Sequence, residues 1–118
     1  MHILIVDDDY SNRIAMQRLL ESYGHAVVTA DSGEKAVELF NVFTTLHVVI
    51  TDFDMGAMRM NGVQLLKKLK ALRKSIRVFL ASGALEKHDQ AEAIAAGAEA
   101  AVDKMQLSKH LREAGIMK

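Results

Sequence analysis

Residues 3 to 9 run Ile3-Leu4-Ile5-Val6-Asp7-Asp8-Asp9, four bulky apolar side chains leading straight into three carboxylates. The run offers solvent no polar residue on either face, so it reads as a strand buried on both sides of a sheet. The acids then stand at that strand's carboxyl end. Four further short runs follow: Ala26 to Thr29, Val48 to Thr51, Ile76 to Leu80 and Ala100 to Val102. Helical spacing fills the intervals. Apolar residues recur at i, i+3, i+4 and i+7 on Met16, Leu19, Leu20 and Tyr23, then on Ala36, Leu39, Phe40 and Phe43. Leu65, Leu66, Leu69 and Leu72 make a third stripe, and Ala91, Ile94, Ala95 and Ala98 a fourth. The fifth, on Leu107, Leu111 and Ala114, is short. Gly24 and Gly97 fall where helix C-caps are expected, and Ser32 and Asn61 suit N-caps.

Five strands alternating with five helices predict an α/β fold, a doubly wound parallel sheet covered on both faces. The first, third and fourth runs are the most continuously apolar and belong at the centre, which puts the second and fifth at the edges. The order 2-1-3-4-5 satisfies this with right-handed crossovers. Ligands of such sheets bind beyond the carboxyl ends of the strands, at the switch point between strands 1 and 3. No repeat, low-complexity tract or linker interrupts the 118 residues, and there is no proline, so one domain is expected from 1 to 118.

Composition narrows the function. The absence of cysteine excludes disulfides and thiolate metal sites, and fits a reducing, cytoplasmic setting. Lys plus Arg and Asp plus Glu both number 15, a balance that argues against a nucleic-acid or anionic-membrane surface. The apolar run after Met1-His2 is too short for a signal peptide or a membrane span.

The strand ends carry the chemistry. Asp7-Asp8-Asp9 follows the first strand, Asp52-Phe53-Asp54 the third, Ser82-Gly83 the fourth and Asp103-Lys104 the fifth. Asp7, Asp8 and Asp52 are expected to converge. Two unit charges about 4 Å apart repel by roughly 4 kcal/mol at an effective dielectric near 20, so such a cluster calls for a cation. Oxygen donors alone select a hard ion, Mg²⁺ first and Mn²⁺ next. Lys104 supplies a positive charge and Ser82 a hydroxyl donor, which together with a carboxylate nucleophile describe a phosphoryl-transfer site. Singly, each has a plainer explanation: the Asp triplet as a helix cap, Asp52 as a turn residue, Ser82 as a cap and Lys104 as a solvated charge. It is the supply of matching groups by four separate strand ends that favours function. His2, His25, His47, His88 and His110 lack ligand spacing, and Met55, Met58 and Met60 are taken as adaptable packing.

These motifs together resemble the response-regulator receiver family over essentially the whole chain. The resemblance rests on Ile3 to Asp9, Ser32-Gly33-Glu34-Lys35-Ala36, Val49-Ile50-Thr51-Asp52, Asn61-Gly62, Leu80-Ala81-Ser82-Gly83, and Ala96-Gly97-Ala98 with Asp103-Lys104. It implies a flavodoxin-like fold of the order already read. It also implies Asp52 as phosphoacceptor, with Asp8 and Asp52 holding Mg²⁺, Asp7 acting through water and the Asp54 carbonyl completing the ligands. Ser82 and Lys104 would bind phosphoryl oxygens. The implied partners are a histidine kinase or histidine phosphotransfer protein and a downstream protein. Since no effector segment follows Gly115-Ile116-Met117-Lys118, output is expected through protein contact, as in stand-alone chemotaxis-type regulators.

Four positions depart from the family pattern. Met105 replaces the usual proline after the lysine, and Gly56 replaces one in the loop after Asp52. That loop also reaches its glycine, Gly62, two residues late. Ala101 stands where the family keeps an aromatic switch, and Asp54 is an acid flanking the acceptor. The Lys104–Met105 bond is therefore expected to be trans, since a non-proline cis bond costs about 2.5–4 kcal/mol. Two other functions stay open. Asp52-Phe53-Asp54 also resembles the Asp-x-Asp of haloacid-dehalogenase-type phosphatases, and the acidic pocket could be a relic in a phosphorylation-independent interaction module.

Overall fold

All five apolar runs form strands, and the depth of each strand follows its apolarity. The computed structural model describes residues 1–56 and 59–118, which leaves Met58 outside the described residues. β1 (His2–Val6) and β3 (Val48–Asp52) each bury four of five residues, and β4 (Arg77–Ser82) buries five of six. β2 (Ala26–Ala30) buries only Ala30, and the four-residue β5 (Ala100–Asp103) closes the other edge. The sheet is parallel throughout in the order β2-β1-β3-β4-β5, as the apolarity of the runs predicts.

The helices are α1 (Tyr10–Ser22), α2 (Gly33–Val42), α3 (Gly62–Leu72), α4 (Lys87–Ala95) and α5 (Leu107–Glu113), the last entered through a 3₁₀ turn at Lys104–Gln106. Both expected N-caps form. Ser32 accepts from the Lys35 amide, and Asn61 with Gln64 makes a reciprocal capping box, each cap contributing about 1 kcal/mol. Gly24 and Gly97 take positive φ just beyond α1 and α4, where a side chain would be strained.

Side chains alternate between two cores. Leu4, Val6, Val49, Val78 and Leu80 point toward the α2, α3 and α4 side with Ala36, Phe40, Leu65, Leu66 and Leu69. Ile3, Ile5, Val48, Ile50 and Phe79 meet Leu20, Leu107 and Leu111 on the α1 and α5 side. Met55 is buried and Met60 half-buried, both in the first core, as packing methionines should be.

Three helix stripes depart from expectation at one or more positions. In α4 the buried residue is Ala93, whereas Ala91 and Ala95 are exposed and Ile94 is 50 % exposed. With alanines on several faces the helix has no strong apolar contrast, so the fixed point becomes Gln90, whose Nε2 donates to the Ala101 carbonyl at 2.7 Å. In α1 only Leu20 of the expected stripe is buried, and Leu72 at the end of α3 is exposed. The Lys104–Met105 bond is trans, and Met105 is almost fully exposed. Among the described residues, no helix is long and apolar enough to cross a membrane.

Candidate functional site

The Asp triplet divides its work. Asp9 caps α1, accepting from the Ser11 amide at 3.1 Å, while Asp7 and Asp8 turn toward Asp52. One carboxylate oxygen from each of Asp7, Asp8 and Asp52 lies within 4.8 Å of the others. The sequence predicts this convergence, and the parallel pairing of β1 with β3 produces it, Val6 standing beside Thr51.

Several bonds hold the cluster in position. Asp7 accepts from the Asp9 amide at 2.9 Å, and Arg13 donates to the Asp7 carbonyl at 2.8 Å. The Thr51 hydroxyl donates to the Asp52 carbonyl at 2.9 Å. Beyond Asp52, the Phe53 amide donates to the Ala81 carbonyl at 2.8 Å, and the Gly62 amide returns to the Phe53 carbonyl at 2.7 Å. A Cβ on Gly62 would lie 2.5 Å from the Asp52 carbonyl oxygen, so the absence of a side chain there lets α3 begin against the site.

Lys104 reaches over from the end of β5. Its Nζ stands 3.5 Å from a carboxylate oxygen of Asp7 and 3.5 Å from one of Asp52. Burial pushes the Asp52 carboxyl up to about 6; Lys104 opposes this, and the negative charge of Asp7 adds to it. Burial works against the Lys104 ammonium, but Asp52 and Asp7 outweigh it and raise its pKa. The donor set is all oxygen, and a carboxylate this reluctant to ionise gains most from a nearby cation, so the residues fit a hard divalent ion.

Ser82 is buried at the end of β4, one step beyond the Ala81 that pairs with Asp52. Its Oγ accepts from the Ala84 amide at 3.3 Å. Asp54 is exposed, and its carboxylate accepts from the Gly56 amide at 3.1 Å, so the side chain closes its own turn. Sequence reasoning missed Arg13, whose role depends on α1 folding back over the Asp7 carbonyl. It also passed over His88, which sits 3.3 Å from Glu86 and 3.1 Å from Asp89, all exposed or half-buried at the start of α4.

A family model described as the response regulator receiver domain matches residues 3–115. The chain belongs to the response-regulator receiver family. This receiver is 41 % identical over 83 residues to the two-component response regulator ORR3 of Oryza sativa subsp. indica, a match covering 69 % of the chain and 62 % of the rice protein. The match thus spans less than two thirds of that relative's length. In structure the receiver is similar to a chain of the CheX-CheY-BeF3-Mg complex from Borrelia burgdorferi, with TM-score 0.86 and 22 % identity over 98 % of this chain and 89 % of that one. It is also similar to a chain of the complex between the Saccharomyces cerevisiae phosphotransfer protein Ypd1 and the Ssk1 receiver domain. There the TM-score is 0.80 at 17 % identity, covering 98 % and 86 %. At these identities the structural likeness concerns the fold.

Proposed function

We propose that this receiver accepts a phosphoryl group on Asp52 from a phosphohistidine of a histidine kinase or phosphotransfer protein, with Mg²⁺ or Mn²⁺ bound. The observation that carries the reading is Asp52 held between Asp7, Asp8 and Lys104 at the carboxyl ends of the strands. A carboxylate oxygen of Asp52 attacks phosphorus, the P–N bond to the donor's imidazole breaks, and an acyl phosphate forms. Above about pH 6 Asp52 is mostly ionised and can act as nucleophile. Asp7, Asp8, Asp52 and the Asp54 carbonyl would hold the divalent ion, which when bound offsets negative charge on the phosphoryl oxygens. Lys104 pairs with one of those oxygens in place of a carboxylate, and Ser82 turns its hydroxyl from the Ala84 amide to donate to another.

The chain acts in the cytoplasm as a phosphorylated signalling module, without turning over a substrate, and signals by contact with a downstream protein. The Borrelia complex contains BeF3 and Mg²⁺, and the yeast complex pairs a receiver with a phosphotransfer protein; both support the analogy. The placement of Asp54 in its own turn gives no support to a general-acid role, and Asp7 and Asp8 would be idle in a phosphatase of that type. Incubation with Mg²⁺ and a small acyl-phosphate donor tests the reading. Base-labile labelling should appear and be lost in Asp52→Asn; labelling of that variant at the wild-type level would overturn it.

A further inference from the structure

The α1 and α5 side of the sheet contains a space that the acceptor chemistry leaves unused. A cavity of about 260 Å³ lies there, floored by Ile5, Ile50 and Ala81 and walled by Ala15 of α1 and Leu107 of α5. Asp7, Asp52 and Lys104 also line it. Its origin is legible in residue size: Ala15 and Ala81 line it where larger side chains would fill it. The apolar side of α1 is correspondingly under-used, since Leu20 is its one buried residue among those described and Leu19 is 37 % exposed.

Charge selects the occupant. On the cavity's polar side Asp7 and Asp52 share one ammonium, Lys104 standing 3.5 Å from each, and an Asp8 carboxylate oxygen lies within 4.8 Å of theirs, so negative charge exceeds positive. We infer that this cavity binds a small organic cation, a primary ammonium or amidinium on an apolar body. The volume corresponds to about nine waters in the liquid, enough for a single ring with a short arm. The apolar body lies over Ile5 and Ile50, and the cationic head reaches Asp7 and Asp52. Because a divalent ion would use the same carboxylates, ligand and ion exclude one another. The resulting inhibition of phosphorylation rests on the acceptor reading given above; the binding itself does not.

Methyl NMR titration with phenethylamine tests the site, with phenylacetate and phenethyl alcohol as probes of similar body and different head. Saturable shifts are expected at Ile5, Ile50 and Leu107, with a Kd below about 1 mM. Each control should bind about tenfold more weakly, a difference of about 1.4 kcal/mol. Excess Mg²⁺ should weaken phenethylamine binding on the wild-type chain, and Ala15→Phe should abolish it. Should that variant fail to fold, the comparison with phenylacetate decides. Absence of saturable shifts or equal binding of phenylacetate would overturn the proposal, whereas amine binding at Ile5 and Ile50 that is indifferent to Mg²⁺ would count against the metal reading alone. The titration contains no phosphoryl donor, so a chain that binds the amine but is never labelled on Asp52 would count against the acceptor reading alone.

Discussion

Replacing Asp52 by asparagine should stabilise the metal-free protein at neutral pH. The Asp52 side chain is only 9 % exposed, and its pKa rises from 3.8 to about 6 in the folded chain. A group with a raised folded pKa binds its proton more tightly when native, so its stabilising contribution is complete below the unfolded value and is lost as pH rises through the folded one. Each unit corresponds to about 1.4 kcal/mol, so at pH 7.5 the ionised carboxylate costs the fold up to about 3 kcal/mol. Solvent at the open mouth of the site screens part of this and leaves about 2 kcal/mol. The asparagine side chain carries no such charge. Urea or thermal unfolding in EDTA should therefore show Asp52→Asn more stable at pH 7.5 by about 2 kcal/mol, on the order of 10 °C in Tm. The gap should close toward pH 4. Saturating Mg²⁺ should also narrow it by stabilising the wild type, because an ion bound only to the native state adds to its stability. A variant less stable than wild type at pH 7.5, or a difference that does not change with pH, would refute the electrostatic account.

Lys104→Ala removes the cation that pairs with both Asp7 and Asp52, so Mg²⁺ should bind more tightly in a direct titration, while phosphorylation-dependent partner binding falls. Gly62→Ala places a Cβ against the Asp52 carbonyl and should cost about 1–3 kcal/mol in urea unfolding, as overpacking does. Gln90→Ala loses the bond to the Ala101 carbonyl, which should cost about 1 kcal/mol and speed amide exchange in α4. With Ala101 unable to act as a rotor, beryllofluoride should alter exchange chiefly in residues 82 to 90 and in the loop after Asp52; changes centred on 99 to 103 would contradict this.

The fold was legible because its strands are short, bulky and continuous, and because Ser32, Asn61, Gly24 and Gly97 punctuate the helices where the backbone needs them. The acid cluster was legible because a parallel sheet brings the ends of neighbouring strands together, whatever the helices do. The phase of α4 was not, since alanines at 91, 93, 95 and 96 offer little contrast between faces. Arg13 and the cavity depend on how α1 sits against the sheet, a distance that no periodicity encodes.

The bond from the Gly62 amide to the Phe53 carbonyl closes the segment between them into a loop whose two ends touch. A loop pinched at its base can change length without moving what it springs from. Doubling such a loop costs only about 0.6 kcal/mol in closure entropy. Two residues more or fewer before Gly62 are thus nearly free thermodynamically. Descendants of this sequence can lengthen, shorten or rewrite that stretch while the Asp52 carboxylate beneath keeps its place.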